Sequence, residues 1–277
     1  MDYEIRPLQL RLLKILQAVD AVCREHGLRY YIIAGTLLGA VRHGGFIPWD
    51  DDLDIGMPRP DYDRLLANWK EWLPKHLELI GPESDPDYPF PFSKIQDAET
   101  TLIESKHFGY LGGVYLDVFP LDGMTDSAPA RRSHFARYKF YRRALYLIYR
   151  DPYRHGHGPS SWFPLLTRRL FTRAGLHAKL QRIFREYPYE KSPSVVEHDN
   201  GSHGVLPKQW VEPAREILFE GIPFKTFAEP EKYLAYTYGD YMTLPPADKR
   251  HQHRFYYLDL GKPYRAAQAV GRPPVEG

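Results

Sequence analysis

The composition of this 277-residue chain excludes several classes of protein. A single cysteine cannot form a disulfide framework, and 43% apolar residues suffice for one substantial core, or for a core with a smaller lobe. The N-terminal segment is too polar for a signal peptide and no apolar run is as long as a membrane span, so we expect a cytoplasmic protein. The net charge of +2 is unevenly distributed, because residues 131–185 carry fourteen Lys and Arg against one acid, giving +13 there and −11 elsewhere.

The first predicted elements are an amphipathic helix over Ile5–His26 and a strand that turns into a second helix. The strand, residues 30–33, is aromatic and β-branched and stops before Gly35 and Thr36. Glycine lets a phosphate approach the backbone there, and threonine can cap a helix whose N-terminal N–H groups bind anions. No Gly-Lys-Ser/Thr follows, so this is not a P-loop. Further along the helix, Arg42 is either a clamp for phosphates or an ordinary solvated arginine.

An acidic run follows the second helix, with aspartates at positions 50, 51, 52 and 54. Like charges this close repel one another, and a bound cation is the usual compensation. In an extended chain Asp52 and Asp54 project to one face and Leu53 and Ile55 to the other, which gives an acidic pair over an apolar face. Oxygen ligands of this kind suit Mg²⁺ or Mn²⁺. A plain acidic surface turn is the alternative, whereas an EF-hand is excluded because Ile55 stands where its loop needs glycine.

Two later segments carry further charged candidates. Lys94 precedes residues 101–103, and we expect the two segments to be neighbouring strands; the lysine either reaches a phosphate or is an ordinary edge-strand lysine. Asp117 is a single acid in the otherwise apolar strand 113–121, where burial is costly unless a cation or hydrogen bonds compensate. Asp122, beyond a proline, is expected in a turn.

The basic segment is predicted to form two long helices that mix arginines with aromatic and aliphatic residues, interrupted near residues 155–159. Such helices either lie on anionic membrane surfaces or pack on the core with solvated arginines. Arg137, Arg142 and Arg143 are the candidates for lipid contact. Nucleic acid is not expected as a partner, because no recognised binding fold accompanies the charge.

The C-terminal part begins with a long loop over residues 187–213, a candidate lid. A strand pair over residues 220–227 and a short helix ending at Gly239 are expected to follow. His251 and His253 would share a face only on a strand, and hydrogen bonding or a surface role is expected for them rather than metal binding.

Three blocks together resemble the LicD family, which includes phosphorylcholine transferases and is related to fukutin-related protein. They are AGTLLGAVRHGGFIPWDDDLDIGM (residues 34–57), the strand 113–121, and the closing stretch 238–253. The resemblance implies an α/β (α+β) fold with a nucleotidyltransferase-like mixed sheet. It implies a catalytic core with an N-terminal helix (1–127), a basic helical lobe (128–186) and a lid with a closing motif that packs on the core (187–277).

The same resemblance assigns roles to residues. Asp52, Asp54 and Asp117 would be the metal ligands and catalytic carboxylates, with Asp117 also a general base. Donor-binding residues would be Gly35, Thr36, Arg42, Lys94 and Arg250. One departure from the family is the cysteine-bound zinc of fukutin-related protein, which cannot form around a lone Cys23.

The implied activity is a Mg²⁺-dependent transfer of a phosphorylated alcohol, phosphocholine from CDP-choline, to a sugar hydroxyl. The acceptor would be a glycan or lipid-linked glycan, such as a lipopolysaccharide, teichoic acid or capsule precursor, presented at the inner face of the membrane. Two alternatives remain open: a nucleotidyltransferase or glycosyltransferase using the same Asp-x-Asp, and a non-catalytic adaptor at the membrane surface.

Overall fold

A computed structural model describes residues 3–82, 84–85, 88–104, 111–153, 156–253 and 255–269 of the chain. In chain order the helices and strands are α1 (Ile5–His26), β1 (Tyr31–Ile32), α2 (Ala34–His43), β2 (Asp54–Pro58), α3 (Arg59–Trp72), β3 (Leu77–Ile80), β4 (Ser93–Asp97), β5 (Thr101–Ile103), β6 (Tyr115–Met124), α4 (Ala128–Tyr149), α5 (Pro159–Leu170), α6 (Arg173–Phe184), β7 (Ser194–Glu197), β8 (Val205–Pro207), α7 (Lys208–Val211), β9 (Arg215–Phe219), β10 (Ile222–Thr226), α8 (Pro230–Tyr238), β11 (Tyr257–Asp259) and α9 (Tyr264–Ala269).

The central sheet has seven strands and is organised around β6. β6 pairs in parallel with β2, antiparallel with β4 through its first half, and antiparallel with β7 through its second half. β1 and β3 extend the sheet at either end of the path β1-β2-β6-β4-β3, and β8 pairs with β7. The ten residues of β6 therefore connect the N-terminal half of the chain with strands from its C-terminal half.

The main core lies between the sheet and α1, which contacts β4 and β6. Leu8, Leu12, Ile15 and Val19 recur on one face of α1 with helical spacing, and all four are buried. The helix ends at Gly27, whose φ of 60° is a left-handed conformation that glycine adopts without a Cβ clash. The amphipathic N-terminal helix predicted from the sequence is confirmed.

A second cluster of apolar residues joins the basic helices to the sheet. Phe135 and Leu145 of α4 pack with Leu180 of α6 and with Val196 of β7. The predicted second basic helix is divided in two, since α5 ends at Leu170 and α6 begins at Arg173. No helix in the described residues is long and apolar enough to cross a bilayer.

The predicted α/β fold with a mixed sheet is confirmed, but several local predictions are wrong. Residues 187–213 are not a long loop, because β7 and β8 add two strands to the sheet there. The segment of Lys94 and the segment 101–103 are not neighbours, since β4 pairs with β3 and β6 while β5 pairs with β11. The strand pair expected over residues 220–227 begins earlier, so that Glu220 and Gly221 form its turn. The division of the chain at residues 127 and 186 stays a prediction.

Candidate active site

Two of the candidate carboxylates lie side by side in the sheet. Asp54 begins β2 and Asp117 is its register partner on the adjacent parallel strand β6. The chain is already extended at Leu53, whose carbonyl accepts the backbone N–H of Asp117 at 2.9 Å. Leu53 and Ile55 are fully buried in the core, as the predicted alternation requires, and Asp52 and Asp54 stand on the alternate positions.

The electrostatics of these carboxylates are mutually unfavourable. Burial raises the pKa of Asp54 well above its usual value, and repulsion from Asp52, Asp117 and Asp50 raises it further. Burial likewise raises the pKa of Asp50 to about 7, with Asp52 and Asp51 adding to the shift. The group is therefore stabilised by protons or by a cation.

Lys94 is one such cation. It lies opposite Asp117 on β4, with Nζ 3.5 Å from the Asp117 carboxylate and 2.9 Å from Oε1 of Glu104. Its ammonium also sits over the Tyr115 ring, 3.3 Å from the centroid. Because β4 is flanked on both sides, the edge-strand alternative for Lys94 is wrong. The structure places Lys94 against the carboxylates rather than out in solvent.

Lys94 does not satisfy every buried oxygen of the group. Among the described residues, Asp117 Oδ1 and Glu104 Oε2 are buried without a hydrogen-bond partner. Carboxylate oxygens without hydrogen bonds, such as Oδ1 of Asp117 on the strand beside Asp54, are the ligands that Mg²⁺ or Mn²⁺ prefers. The residues present therefore fit a hard divalent cation.

The start of α2 lies against the same carboxylates. α2 begins at Ala34, and a Cβ added at Gly35 would stand 2.9 Å from Oδ2 of Asp50, so glycine permits this close approach. Thr36 does not cap the helix as predicted; it lies within the first turn, and its hydroxyl accepts the N–H of Asp54 at 2.8 Å. This hydrogen bond ties the N-terminus of α2, where N–H groups have no helical partner, to the first residue of β2.

The two arginine candidates lie near the acidic segment and near each other. Arg42 donates to the Tyr241 carbonyl at 2.8 Å, and the Arg250 guanidinium lies 5.2 Å from the centre of the Trp49 ring. Burial and repulsion from Arg250 lower the pKa of Arg42, while Asp50 opposes the shift. The closing stretch thus packs on the acidic segment, as expected, and places a second cation close to Arg42.

Asp51 anchors that closing stretch. Both the backbone N and Nδ1 of His253 lie 2.6 Å from its carboxylate oxygens, and the Tyr3 hydroxyl also donates to it. The hydrogen bond to Asp51 is the main reason why the pKa of His253 is raised to about 9. Ligand atoms of Asp51, Asp52 and His253 lie within 4.8 Å of one another. Because the two Asp51 oxygens already accept these bonds, we assign the cluster to holding the C-terminal stretch in place, and the predicted hydrogen-bonding role of His253 is confirmed.

A cavity of about 270 Å³ lies beside the start of α2. Its wall includes Phe227, Tyr233 and Tyr238 and the carboxylate of Glu197. Tyr233 accepts the N–H of Ala34 at 3.2 Å, and burial and then Asp54 and Asp50 raise the pKa of Tyr238. The cavity therefore adjoins the carboxylates. Sequence reasoning did not find Glu197, because its position depends on β7 joining β6.

Asp122 is also placed differently from the prediction. It is not in a turn but in β6, where Arg59 binds it through two hydrogen bonds of 2.7 and 2.8 Å. This pairing outweighs burial and lowers the pKa of Asp122. Asp122 therefore forms a structural ion pair with Arg59, whereas Asp117, five residues before it, lies in the candidate active site.

The fold and these contacts define an α/β protein in which a sheet brings several carboxylates to the N-terminus of a helix, an arrangement suited to metal-assisted phosphoryl transfer. Residues 27–145 match the family model described as LicD/FKTN/FKRP, nucleotidyltransferase domain. The LicD resemblance read from the sequence is confirmed over this part of the chain.

Individual relatives agree with this assignment. The chain is 27% identical over 261 residues to the lipopolysaccharide cholinephosphotransferase LicD of Haemophilus influenzae. This alignment covers 90% of this chain and 95% of that protein. It is 51% identical over 39 residues to the ribitol 5-phosphate transferase FKRP of Homo sapiens. That alignment covers only 14% of this chain and 8% of that protein. The first relative extends along almost the whole chain, and the second is limited to a short segment.

Proposed function

We propose that the protein transfers phosphocholine from CDP-choline to a sugar hydroxyl of a cell-surface glycan, with Mg²⁺ or Mn²⁺ as cofactor. The observation that carries this proposal is the pairing of Asp54 with Asp117 on adjacent strands beside the N-terminus of α2. Burying several carboxylates is energetically costly. In this reaction they would hold the metal beside a helix N-terminus that binds the donor phosphate, which gives their burial a chemical purpose.

Asp52, Asp54 and Asp117 are the residues that would hold the metal. A bound divalent cation would neutralise the donor diphosphate and stabilise the charge that develops during transfer. Oδ1 of Asp117 supports this assignment, because among the described residues it is buried without a hydrogen bond and only the Lys94 ammonium, 3.5 Å away, offsets its charge.

The remaining residues bind and orient the donor. The first-turn N–H groups of α2 beside Gly35 would receive a donor phosphate, and Arg42 and Arg250 would clamp the diphosphate from the opposite side. Lys94 would act indirectly, since its ammonium is already bound to Glu104 and lies close to Asp117.

Asp117 is the proposed general base. Burial raises its pKa to about 7 in the metal-free protein, and a bound cation would lower that pKa, so that the carboxylate would be ionised and able to accept a proton. The acceptor hydroxyl would give its proton to this carboxylate, an oxygen–phosphorus bond would form, and the bond to CMP would break. No covalent enzyme intermediate is needed.

The cavity beside α2 would receive the alcohol of the donor. Its volume of about 270 Å³ is just below the range of about 300–1,000 Å³ typical of drug-sized ligands, so a small headgroup fits it better than a sugar chain. Aromatic walls favour a cationic alcohol such as choline over a neutral polyol, and the acid Glu197 lies in the same wall.

The choice of acceptor rests on the relatives. The relative matched over nearly its whole length is named for lipopolysaccharide, whereas the ribitol phosphate transferase is matched over a short segment. We propose a lipopolysaccharide-type acceptor, processed by a cytoplasmic enzyme at the inner face of the membrane. A non-catalytic adaptor would have no use for this group of buried carboxylates.

Donor binding and product analysis test the proposal. CDP-choline with Mg²⁺ should raise the melting temperature more than CDP-ribitol, CDP-glycerol or nucleoside triphosphates do, because a ligand that binds only the folded state stabilises it. Incubation with acceptor should release CMP and form phosphocholine-glycan, and Asp54→Asn should abolish both. Release of pyrophosphate would instead identify a nucleotidyltransferase, and a transferred sugar would identify a glycosyltransferase.

A further inference from the structure

Helix α5 has the reverse of the usual burial pattern. Its small or polar residues Ser161, Pro164 and Thr167 face the protein and are buried. Its large apolar residues face outward, and their exposed fractions are 66% for Trp162, 70% for Phe163, 54% for Leu166 and 64% for Leu170. In a surface helix that serves only as scaffold the apolar stripe packs inward.

The exposed residues of α5 form one stripe. Phe163, Leu166 and Leu170 are spaced three and four residues apart, so they lie on the same side of the helix, and Trp162 adjoins them. More than half of the large apolar side chains exposed in the described part of the chain fall between residues 140 and 170. A contiguous apolar patch of this kind marks an interaction surface, whereas single exposed apolar residues are ordinary.

The charge around this stripe is predominantly positive. Residues 152–185 contain seven Lys and Arg and no acid, although Asp151 directly precedes them. Arg168 and Arg169 lie between Leu166 and Leu170 and are exposed, with the Arg168 guanidinium donating to the carbonyls of Ile148 and Arg150. An occupant of the surface must therefore be both apolar and anionic, which is the combination that a bilayer with acidic headgroups presents.

We propose that α5 lies in the surface of an anionic membrane, with the stripe Trp162, Phe163, Leu166 and Leu170 inserted at the boundary between headgroups and acyl chains. Twelve helical residues span about 18 Å, less than the hydrocarbon thickness of about 30 Å, so α5 lies in the plane of the surface and does not cross it. A second copy of the chain is a poorer occupant, because a symmetric contact would bring the arginines of both copies together.

This placement differs from the lipid contact predicted from the sequence. The candidates on α4 are Arg137, Arg142 and Arg143. Arg137 is bound to Glu186, Arg142 is 3.3 Å from Asp199, and the Arg143 guanidinium lies 5.3 Å from the centre of the Tyr146 ring. Arginines paired within the protein attract lipid phosphate less than unpaired ones do. The contact is therefore assigned to α5, independently of the transfer reaction proposed above.

Vesicle flotation of the full chain is the first test. Vesicles of equal parts phosphatidylglycerol and phosphatidylcholine should bind the protein in about 0.1 M salt. Binding should weaken strongly in about 1 M salt, where the screening length falls from about 10 Å to about 3 Å. Vesicles of phosphatidylcholine alone should bind much less.

Variants separate the apolar stripe from the general basic charge. Phe163→Ser with Leu166→Ser should lower binding on the order of 100-fold, about tenfold for each apolar side chain removed. Arg168→Gln with Arg169→Gln should lower it roughly fivefold for each charge. Leu218→Ser, which removes an exposed leucine of the β9–β10 hairpin, is the matched control and should leave binding unchanged. Circular dichroism melts establish that each variant is folded.

Trp162 supplies a direct readout of insertion. Its emission should shift to the blue on anionic vesicles, and Trp162→Phe should abolish this shift while binding persists, because phenylalanine keeps the apolar contact. The proposal is overturned if the wild type ignores anionic vesicles at low salt, or if Leu218→Ser weakens binding as much as the stripe variant. A wild-type dimer that the stripe variant converts to monomer would also overturn it and assign the surface to self-association.

Discussion

Replacing Asp117 with Asn should make the metal-free protein more stable. Burial raises the pKa of Asp117 to about 7, although Lys94 opposes the shift. The pKa in the unfolded chain is about 3.9, so the folded protein binds the proton more tightly and loses stability as pH rises from about 4 through about 7. At about 1.36 kcal/mol for each pKa unit, the ionised carboxylate costs the fold about 4 kcal/mol at pH near 8. Asparagine removes this cost.

The gain should depend on pH. At about 2 °C for each kcal/mol in a chain of this size, Asp117→Asn should melt about 8 °C higher than wild type at pH near 8. At pH near 5 the wild-type carboxylate is protonated in the folded state, so the difference should fall to about 1.5 kcal/mol and disappear below about pH 4. Thermal melts in EDTA across this pH range measure the effect.

Asp117→Asn should lower the enzymatic activity, although it raises the stability of the metal-free protein. Loss of the base and of a metal ligand should lower CMP release on the order of 10³-fold or more at saturating CDP-choline and Mg²⁺. Asp122→Asn on the same strand is the matched control: it leaves Arg59 buried without its partner and should destabilise the protein by about 3–5 kcal/mol. If Asp117→Asn destabilises the protein as well, or keeps activity within about tenfold of wild type, the reasoning about this site is refuted.

Three further predictions concern the surroundings of the carboxylates. Gly35→Ala places a methyl group 2.9 Å from a carboxylate oxygen and should raise the KM for the donor with little loss of melting temperature; unchanged kinetics would contradict the close approach of α2. Arg42→Gln and Arg250→Gln should each raise that KM about tenfold and lower kcat less, as steady-state kinetics would measure, if they clamp phosphates. His253→Gln should cost about 1 kcal/mol near pH 7, because the pKa of His253 is raised to about 9 by Asp51. That stabilisation is fully present below the unfolded pKa of about 6.5 and is lost as pH rises through about 9, so melts of variant and wild type should converge near pH 10.

Local patterns were sufficient to select the candidate residues that the structure brings together. Gly35 at the start of α2, the alternating acids Asp52 and Asp54, and the lone acid Asp117 in an apolar strand are each signalled within a few residues. Strand periodicity places Asp54 on the face opposite the buried Ile55, and the structure agrees.

Contacts between distant segments were not predictable in this way. Glu104, which directly follows β5 of a different sheet, reaches Lys94, and Glu197 approaches Asp54 only because β7 pairs with β6. Asp122 was assigned to a turn because Pro120 precedes it, yet β6 continues through the proline and Arg59 pairs with the acid beyond it. Each of these errors concerns a contact that no local sequence pattern records.

The pairing of β2 with β6 fixes the spacing of the candidate carboxylates independently of the residues that line the neighbouring cavity. The distance between Asp54 and Asp117 is set by backbone hydrogen bonding between adjacent strands, which holds their Cα atoms about 5 Å apart whatever surrounds them. The wall of the neighbouring cavity comes largely from later parts of the chain, including Glu197, Phe227 and Tyr238. If the cavity receives the donor alcohol, as proposed, substitutions in its wall would change the alcohol that is accepted and leave the spacing of the carboxylates unchanged. New donor preferences could then evolve on this scaffold in few steps.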